Sequence, residues 1–258
     1  MRFQFASDLH FEFYEDHGRS VIASMDPSGT DVLVLAGDVG NSRTVVEALR
    51  AICARFAGAQ VIFVLGNHEL YGSSPDRVID DIRRLEGRLD NLHFLNHETV
   101  GIDGVTFAGT PLWFRDDLLN AVYKSQLNDF VQIEGYEPWV YRENEKALVF
   151  LGSLPKFTDV VVTHYQPTPK VVVPIFRTDP LNGFFVCPVD DVIETLQPAY
   201  WIFGHSHAWI EATIGRTCLV ANQRGYPHEM GLRYRPKRVV DICGGSKPRS
   251  GRGPRDLG

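Results

Sequence analysis

The chain is poor in cysteine, holds no long apolar run and has no surplus of positive charge. Its four cysteines, Cys53, Cys187, Cys218 and Cys243, are spread over 258 residues with no two spaced as CxxC. That excludes a thiolate zinc site of the usual spacing and points to reduced, mostly buried thiols in a cytoplasmic protein. No apolar stretch approaches the ~20 residues that a membrane span needs. The opening MRFQFASDLH reaches charged residues without the apolar segment of a signal peptide, so no membrane partner is expected. Formal charge is −6, and the last fifteen residues carry Lys247, Arg249, Arg252 and Arg255 against Asp256. Residues 1–243 are therefore more acidic than the whole chain. An acidic body is a poor match for a nucleic-acid backbone. It leaves room for a small phosphorylated substrate, because bound metal ions invert the local charge.

At 44% hydrophobic and 22% charged, the composition is that of an ordinary globular domain. No repeat and no linker interrupts residues 1–243, which read as one domain. Residues 244–258, GGSKPRSGRGPRDLG, have the composition of a flexible basic tail. Short apolar runs alternate with helical patterns. RFQFA (2–6), DVLVLAG (31–37), VIFVL (61–65), LHFLN (92–96), DVVVTH (159–164), YWIFGH (200–205) and RVVDI (238–242) read as strands. The apolar spacing of residues 42–57 predicts a helix, and Ser74-Pro75 opens another as N-cap and first residue. Residues 116–133 and 138–152 read as two more, and VDDVIETL (189–196) as a fifth. Hairpins are expected around Asp103-Gly104 and Gly215. Parallel βαβ units first and hairpins later imply an α/β fold, a layered sandwich. Tyr165–Pro188 contains Pro167, Pro169, Pro174, Pro180 and Pro188; a long proline-rich loop inside a compact domain is usually functional or disordered.

Five of the apolar strands end in the same kind of residue. The first runs into Ser7-Asp8-Leu9-His10, the second into Gly37-Asp38 and the third into Gly66-Asn67-His68-Glu69. DVVVT runs into His164, and YWIF into Gly204-His205-Ser206-His207. In open α/β sheets ligands bind outside the carboxyl ends of the strands, so these residues can converge although nearly the whole chain separates them. Asp8, His10, Asp38, Asn67, His164, His205 and His207 supply hard oxygen donors and imidazoles without thiolate. That set suits Mn²⁺, Fe, Zn²⁺ or Ni²⁺. Seven ligands are too many for one tetrahedral ion and enough for two that share a carboxylate, for which Asp8 and Asp38 are both available. The glycines before Asp38, Asn67 and His205 allow tight turns where strand meets loop.

The motifs DLH (8–10), GD (37–38), GNHE (66–69), TH (163–164) and GHSH (204–207) resemble those of the calcineurin-like metallophosphoesterases. The resemblance covers residues 3–222 or so. It implies a two-sheet β-sandwich flanked by helices, two divalent cations with manganese first among them, and hydrolysis of a phosphoester. Carried over by motif, Asp8, His10 and His207 bind the first ion, Asn67, His164 and His205 the second, and Asp38 bridges. His68 is the acid beside the leaving group. The protein phosphatases of that superfamily extend GD to Val-Asp-Arg-Gly and place Arg before GNHE. This chain has GDVGNS and LGNHE, and without those arginines it fits the phosphodiesterase-like branch better. Many relatives carry a carboxylate three residues after the bridging Asp that orients the GNHE histidine, and here that position is Asn41. Asn41, Arg177, Asn182, Arg224 and Tyr226 are candidate substrate contacts at the rim. The alternatives are a phosphomonoesterase or nuclease of the same superfamily, and a non-catalytic scaffold, which the complete ligand set argues against.

Overall fold

Every residue of β2 (Val32–Ala36) is buried. Val32, Val34 and Ala36 enter one apolar cluster while Leu33 and Leu35 enter another. A strand alternates its side chains between two faces, so β2 is covered on both sides. The computed structural model describes residues 1–156, 158–229 and 234–242; Cys243 and the 244–258 tail lie outside them. β1 (Arg2–Ala6), β2, β3 (Gln60–Val64) and β4 (Leu92–Phe94) run parallel in that order, and β11 (Val239–Asp241) joins the free edge of β1 antiparallel. The second sheet is mixed. Its centre is parallel, β6 (Val105–Gly109), β7 (Val160–Val162), β8 (Tyr200–Ile202) and β10 (Thr217–Val220). Its edges are antiparallel, with β5 (Glu98–Ile102) on β6 and β9 (Ala212–Ile214) on β10, as the two hairpins predict.

The sheets face each other across Phe3, Phe5, Val34, Ile62 and Val64 on one side and Phe107, Val160, Val162, Ile202 and Val220 on the other. Phe3 sets its ring edge-on to Phe107 and Tyr200 at 6.3 and 5.3 Å. On the outer face of the first sheet, Leu49 and Ile52 of α2 (Val45–Arg55) and Val78 and Ile82 of α3 (Pro75–Glu86) share a cluster with Leu33, Leu35 and Phe63. α6 (Tyr136–Ser153) and α7 (Asp190–Leu196) supply Val140, Leu151 and Ile193 beside Val161 and Trp201 of the second sheet. The result is the helix-flanked two-sheet sandwich that the motifs imply.

Three local expectations differ. A short helix, α1 (Arg19–Ser24), was not foreseen. Residues 116–133 are not one helix but α4 (Leu118–Tyr123), a 3₁₀ turn and α5 (Asp129–Gln132). The break turns Asp129 inward, where its carboxylate meets Asn67, Tyr71 and Tyr136. α6 starts two residues before Pro138, because proline is tolerated in a first turn. Ser74 does occupy the N-cap of α3, without a side-chain capping bond.

Candidate metal centre

Parallel neighbours end at the same edge, so β1–β3 deliver Asp8, Asp38 and Asn67 together, and β7 and β8 deliver His164, His205 and His207 opposite them. Short bonds lock the edges. The backbone N–H of Asp8 donates to Gly37 O at 3.0 Å, and that of Gly204 to His164 O at 2.9 Å. Across the sheets, His205 N–H donates to Asp8 Oδ1 at 2.9 Å, and His164 Nδ1 donates to Ala36 O at 2.8 Å. Five of the site residues hold left-handed backbone: Asp8 (φ 54°), His10 (49°), Asp38 (54°), His205 (76°) and His207 (51°). Such φ values are uncommon outside glycine and cluster at functional sites. Gly37 has φ 83°. Gly66 and Gly204 are needed for close approach instead. A Cβ on Gly66 would strike the Asp38 carboxylate, and one on Gly204 would lie 2.7 Å from Asp8 Oδ2.

The donors and acceptors do not balance, and the imbalance identifies what the site is built to hold. His164 gives its Nδ1–H to Ala36 O, which leaves Nε2 as a lone pair. That lone pair faces Asn67 Oδ1 at 3.2 Å and Asp38 Oδ2 at 3.4 Å. Asn67 presents its oxygen because its amide N–H groups are spent on Asp129 Oδ1 (2.9 Å) and Tyr71 Oη (3.2 Å). Across the site, His10 Nδ1 lies 3.2 Å from Glu12 Oε1 and His207 Nδ1 lies 2.7 Å from Glu229 Oε2. Their Nε2 atoms then meet at 2.9 Å. Asp8 Oδ2 and His205 Nε2 are buried with no hydrogen-bond partner among the described residues. Acceptors converging on acceptors require a cation between them, so the residues fit divalent metal. Among the described residues three groups of suitable donors result, Asp8-His10-Asp38-His207, Asp38-His164-His205 and His10-Glu12-His68, with Asp38 shared by the first two. In the chain alone a proton takes the cation's place. Burial works against a charged His164, yet the Asp38 carboxylate holds it up at about 10. Burial and the charge on His164 keep His205 well below the usual imidazole range, hence neutral.

Asn67 and His68 diverge as adjacent residues at a strand mouth should. His68 Nδ1 lies 2.8 Å from Glu12 Oε1, and its Nε2 lies 3.2 Å from the Tyr226 hydroxyl. Burial disfavours its charged form, but Asp38 and then Glu12 outweigh burial and raise it to about 8. The expectation that Asn41 orients this ring is corrected. Asn41 Oδ1 accepts from Arg43 N–H and Thr44 Oγ1 at the start of α2, and Glu12 stands beside His68 instead.

A family model for calcineurin-like phosphoesterases matches residues 1–209. The chain belongs to that family. Among curated relatives, this phosphoesterase is 24% identical to an uncharacterized protein of Acanthamoeba polyphaga mimivirus, covering 93% of this chain and 96% of that one. It is 28% identical to a UPF0046 protein of Caenorhabditis elegans over 70% of this chain and 57% of that one. Among solved structures, the phosphopantetheinyl hydrolase of Mycobacterium tuberculosis superposes with a TM-score of 0.71 at 19% identity, covering 88% and 90% of the two chains. A Thermus thermophilus protein gives 0.55 at 14% over 86% and 88%. Both structural likenesses are likenesses of fold.

Around the rim of this phosphoesterase the expected contacts fare unequally. Tyr226 is at the centre, its ring 4.5 Å from His10 and 4.6 Å from His207. Arg224 is half-buried and already engaged, donating to Tyr14 Oη at 2.7 Å. Asn182 donates to Phe176 O within its own loop, and Arg177 is exposed there. The loop is ordered by three 3₁₀ turns. Phe184 is buried against Phe114, whereas Phe185 lies 4.6 Å from the His205 ring. Four carboxylates were missed as parts of the site: Glu12, Glu69, Asp129 and Glu229. Glu69 is fully buried and accepts backbone N–H groups from Asp38, Val39, Gly40 and Gly66, clamping two ligand loops together. Its place in GNHE was a usable signal; Glu12, two residues past His10, gave a fainter one.

Proposed function

We propose that the chain is a phosphodiesterase that works with two divalent transition-metal ions, manganese first among the candidates. One observation supports this above all: Asp38 Oδ2 lies 3.8 Å from His10 Nε2 and 3.4 Å from His164 Nε2, one carboxylate oxygen between the histidines of two donor groups. Asp8, His10 and His207 would hold one ion, Asn67, His164 and His205 the other, and Asp38 both. When bound, such a pair lowers the pKa of water and counters negative charge on phosphoryl oxygens. The chain's own part is positional. Asp129 keeps the Asn67 oxygen turned inward, Ala36 O and Glu229 fix the His164 and His207 tautomers, and Glu69 holds the loops in register. His68 gives its Nε2 proton to the leaving oxygen as the P–O bond breaks.

Diester preference follows from charge. The partners described for the cluster residues are backbone groups, carboxylates, tyrosine hydroxyls, the Gln223 amide oxygen and one another. A monoester dianion wants cationic grip of the kind that the two missing arginines would give, and a diester monoanion wants less. The acidic body argues for a small phosphoester over nucleic acid. Cys53, Cys187 and Cys218 are free thiols, in keeping with a cytoplasmic setting; among the described residues no helix is long and apolar enough to cross a membrane. The test is a screen of Mn²⁺-loaded protein against bis(p-nitrophenyl) phosphate, p-nitrophenyl phosphate, cyclic nucleotides and single-stranded DNA. We expect a higher kcat/KM for the diester than for the monoester. A strong monoester preference would move the reading to a phosphomonoesterase, and cleavage of DNA above all else to a nuclease.

A further inference from the structure

We infer that Glu12 is the positioning carboxylate of this site, one oxygen setting the tautomers of two histidines with different tasks. The inference rests on the phosphoesterase reading for those tasks, but not for the tautomers themselves. Glu12 Oε1 lies 3.2 Å from His10 Nδ1 and 2.8 Å from His68 Nδ1. The two rings sit 4.4 Å apart at 71°, so a single atom can reach both. The Glu12 side chain is 7% exposed. Its other oxygen, Oε2, is buried with no partner among the described residues. A hydrogen on Oε1 could be given to only one of the two rings, so an oxygen that reaches both does so by accepting from both. Both imidazoles must then carry hydrogen on Nδ1.

The consequence differs for the two rings. On His10 the neutral Nδ1–H form leaves a lone pair on Nε2, the atom that faces His207 Nε2 and Asp38 Oδ2. That is the form a cation can use. On His68 the same bond secures Nδ1–H and leaves Nε2 to exchange a proton at the Tyr226 hydroxyl and at the leaving oxygen. When His68 gives up its Nε2 proton, the leaving oxygen takes it together with the electron pair of the broken P–O bond, and the ring is left neutral with its Nδ1–H still held. Ligand and acid are therefore set by one side chain, placed two residues after His10 by the 3₁₀ turn Phe11–Phe13. Tyr71 stacks on the His68 ring at 4.2 Å and restrains its rotation.

Two measurements test this. The first uses the wild-type chain without metal: two-dimensional ¹H–¹⁵N spectra of the imidazole nitrogens should show His10 and His68 with hydrogen on Nδ1. Either ring as the Nε2–H tautomer overturns the inference, and this needs neither turnover nor a variant that folds. The second compares Glu12→Gln and Glu12→Ala with wild type, Mn²⁺-loaded, on an aryl and an alkyl diester. Loss of an outer partner to a metal ligand commonly costs ~10–100-fold in metal affinity or activity. Glu12→Ala should bind Mn²⁺ within that range more weakly. Glu12→Gln, which keeps an acceptor but no charge, should lose on the order of tenfold more rate on the alkyl than on the aryl diester, and that extra loss should vanish in a His68→Ala background. Equal losses on both diesters, or an extra loss that persists without His68, would overturn it. A wild-type protein with no phosphoesterase activity but the stated tautomers would instead sink the functional reading and leave the positioning role standing.

Discussion

His10 and His207 point ring nitrogen at ring nitrogen, Nε2 to Nε2 at 2.9 Å, while each commits its Nδ1 to a different carboxylate, Glu12 or Glu229. Neither ring can turn to relieve the contact without giving up its charged partner. Elemental analysis of protein prepared without chelator should therefore find close to two transition ions per chain. Removing them should lower the thermal midpoint, and Mn²⁺ restored at about 100 times its Kd should return about 2.7 kcal/mol. Asp38→Asn should cut occupancy more than a change at Asp8, His10, His164 or His205 alone. Full metal content and activity in that variant would refute the shared role.

His68 should matter in proportion to the leaving group's need for a proton. p-Nitrophenolate hardly needs one; an alkoxide does. His68→Ala should keep both ions and lose little on bis(p-nitrophenyl) phosphate, but on the order of 10²-fold on an alkyl or nucleotide diester. Because His68 is raised to about 8, the acid is charged at neutral pH, and the alkyl-diester rate should fall as pH rises through that value. Bound cations offset the Asp38 charge and move the fall to lower pH, never higher. The fall should be absent from His68→Ala, and a fall that persists there would belong to another group.

Glu143 is buried and accepts from His97 Nε2 at 3.0 Å and Lys146 Nζ at 2.5 Å. Burial pushes its carboxyl up, but those two bonds prevail and hold it below the usual range. A carboxyl depressed by folding adds stability above its unfolded pKa and loses it as pH falls through the folded one. Glu143→Gln should cost about 2 kcal/mol at pH 7. The gap between variant and wild type should close as urea melts are repeated from pH 5 down toward pH 3. A constant gap would assign the cost to packing.

Gly66 tests the close approach at the mouth of β3. Its Cα lies where any Cβ would meet the Asp38 carboxylate and stand 2.7 Å from the Asp38 backbone nitrogen. Gly66→Ala should destabilise by about 1–3 kcal/mol and shed metal, since Asp38 is the group displaced. Gly58→Ala, where nothing lies within 4 Å, is the control and should leave both unchanged. Normal metal content in Gly66→Ala would show that the loop can retreat.

The residues legible in the sequence are those that follow apolar runs. Asp8, Asp38, Asn67, His164, His205 and His207 each lie within a few residues of a strand's end, and strand topology alone carries them to one edge. What stayed hidden depends on contacts that local pattern does not encode. Glu12 reaches His68 across 56 positions and Asp129 reaches Asn67 across 62. Asn41 sits where a carboxylate was expected to orient His68, and its local bonds to Arg43 and Thr44 won instead. Residues 116–133 read as one helix because apolar spacing cannot register the pull of a buried amide and three tyrosines on Asp129. The β10 strand, which completes a hairpin with β9 and also lies parallel to β8, needed knowledge of the second sheet's centre.

The left-handed backbone at Asp8, His10, Asp38, His205 and His207 narrows the paths by which this centre can drift over evolutionary time. A β-branched replacement at any of the five would meet a steric penalty before any question of ligand chemistry arose. Glycine, asparagine, aspartate and histidine tolerate the region best, and three of those four can bind metal or orient it. Sequence change at these positions is thus channelled toward exchange of one ligand type for another, with loss through glycine as the main exit. A lineage that changes its metal preference has an open road here, and one that abandons catalysis should leave glycines as its trace.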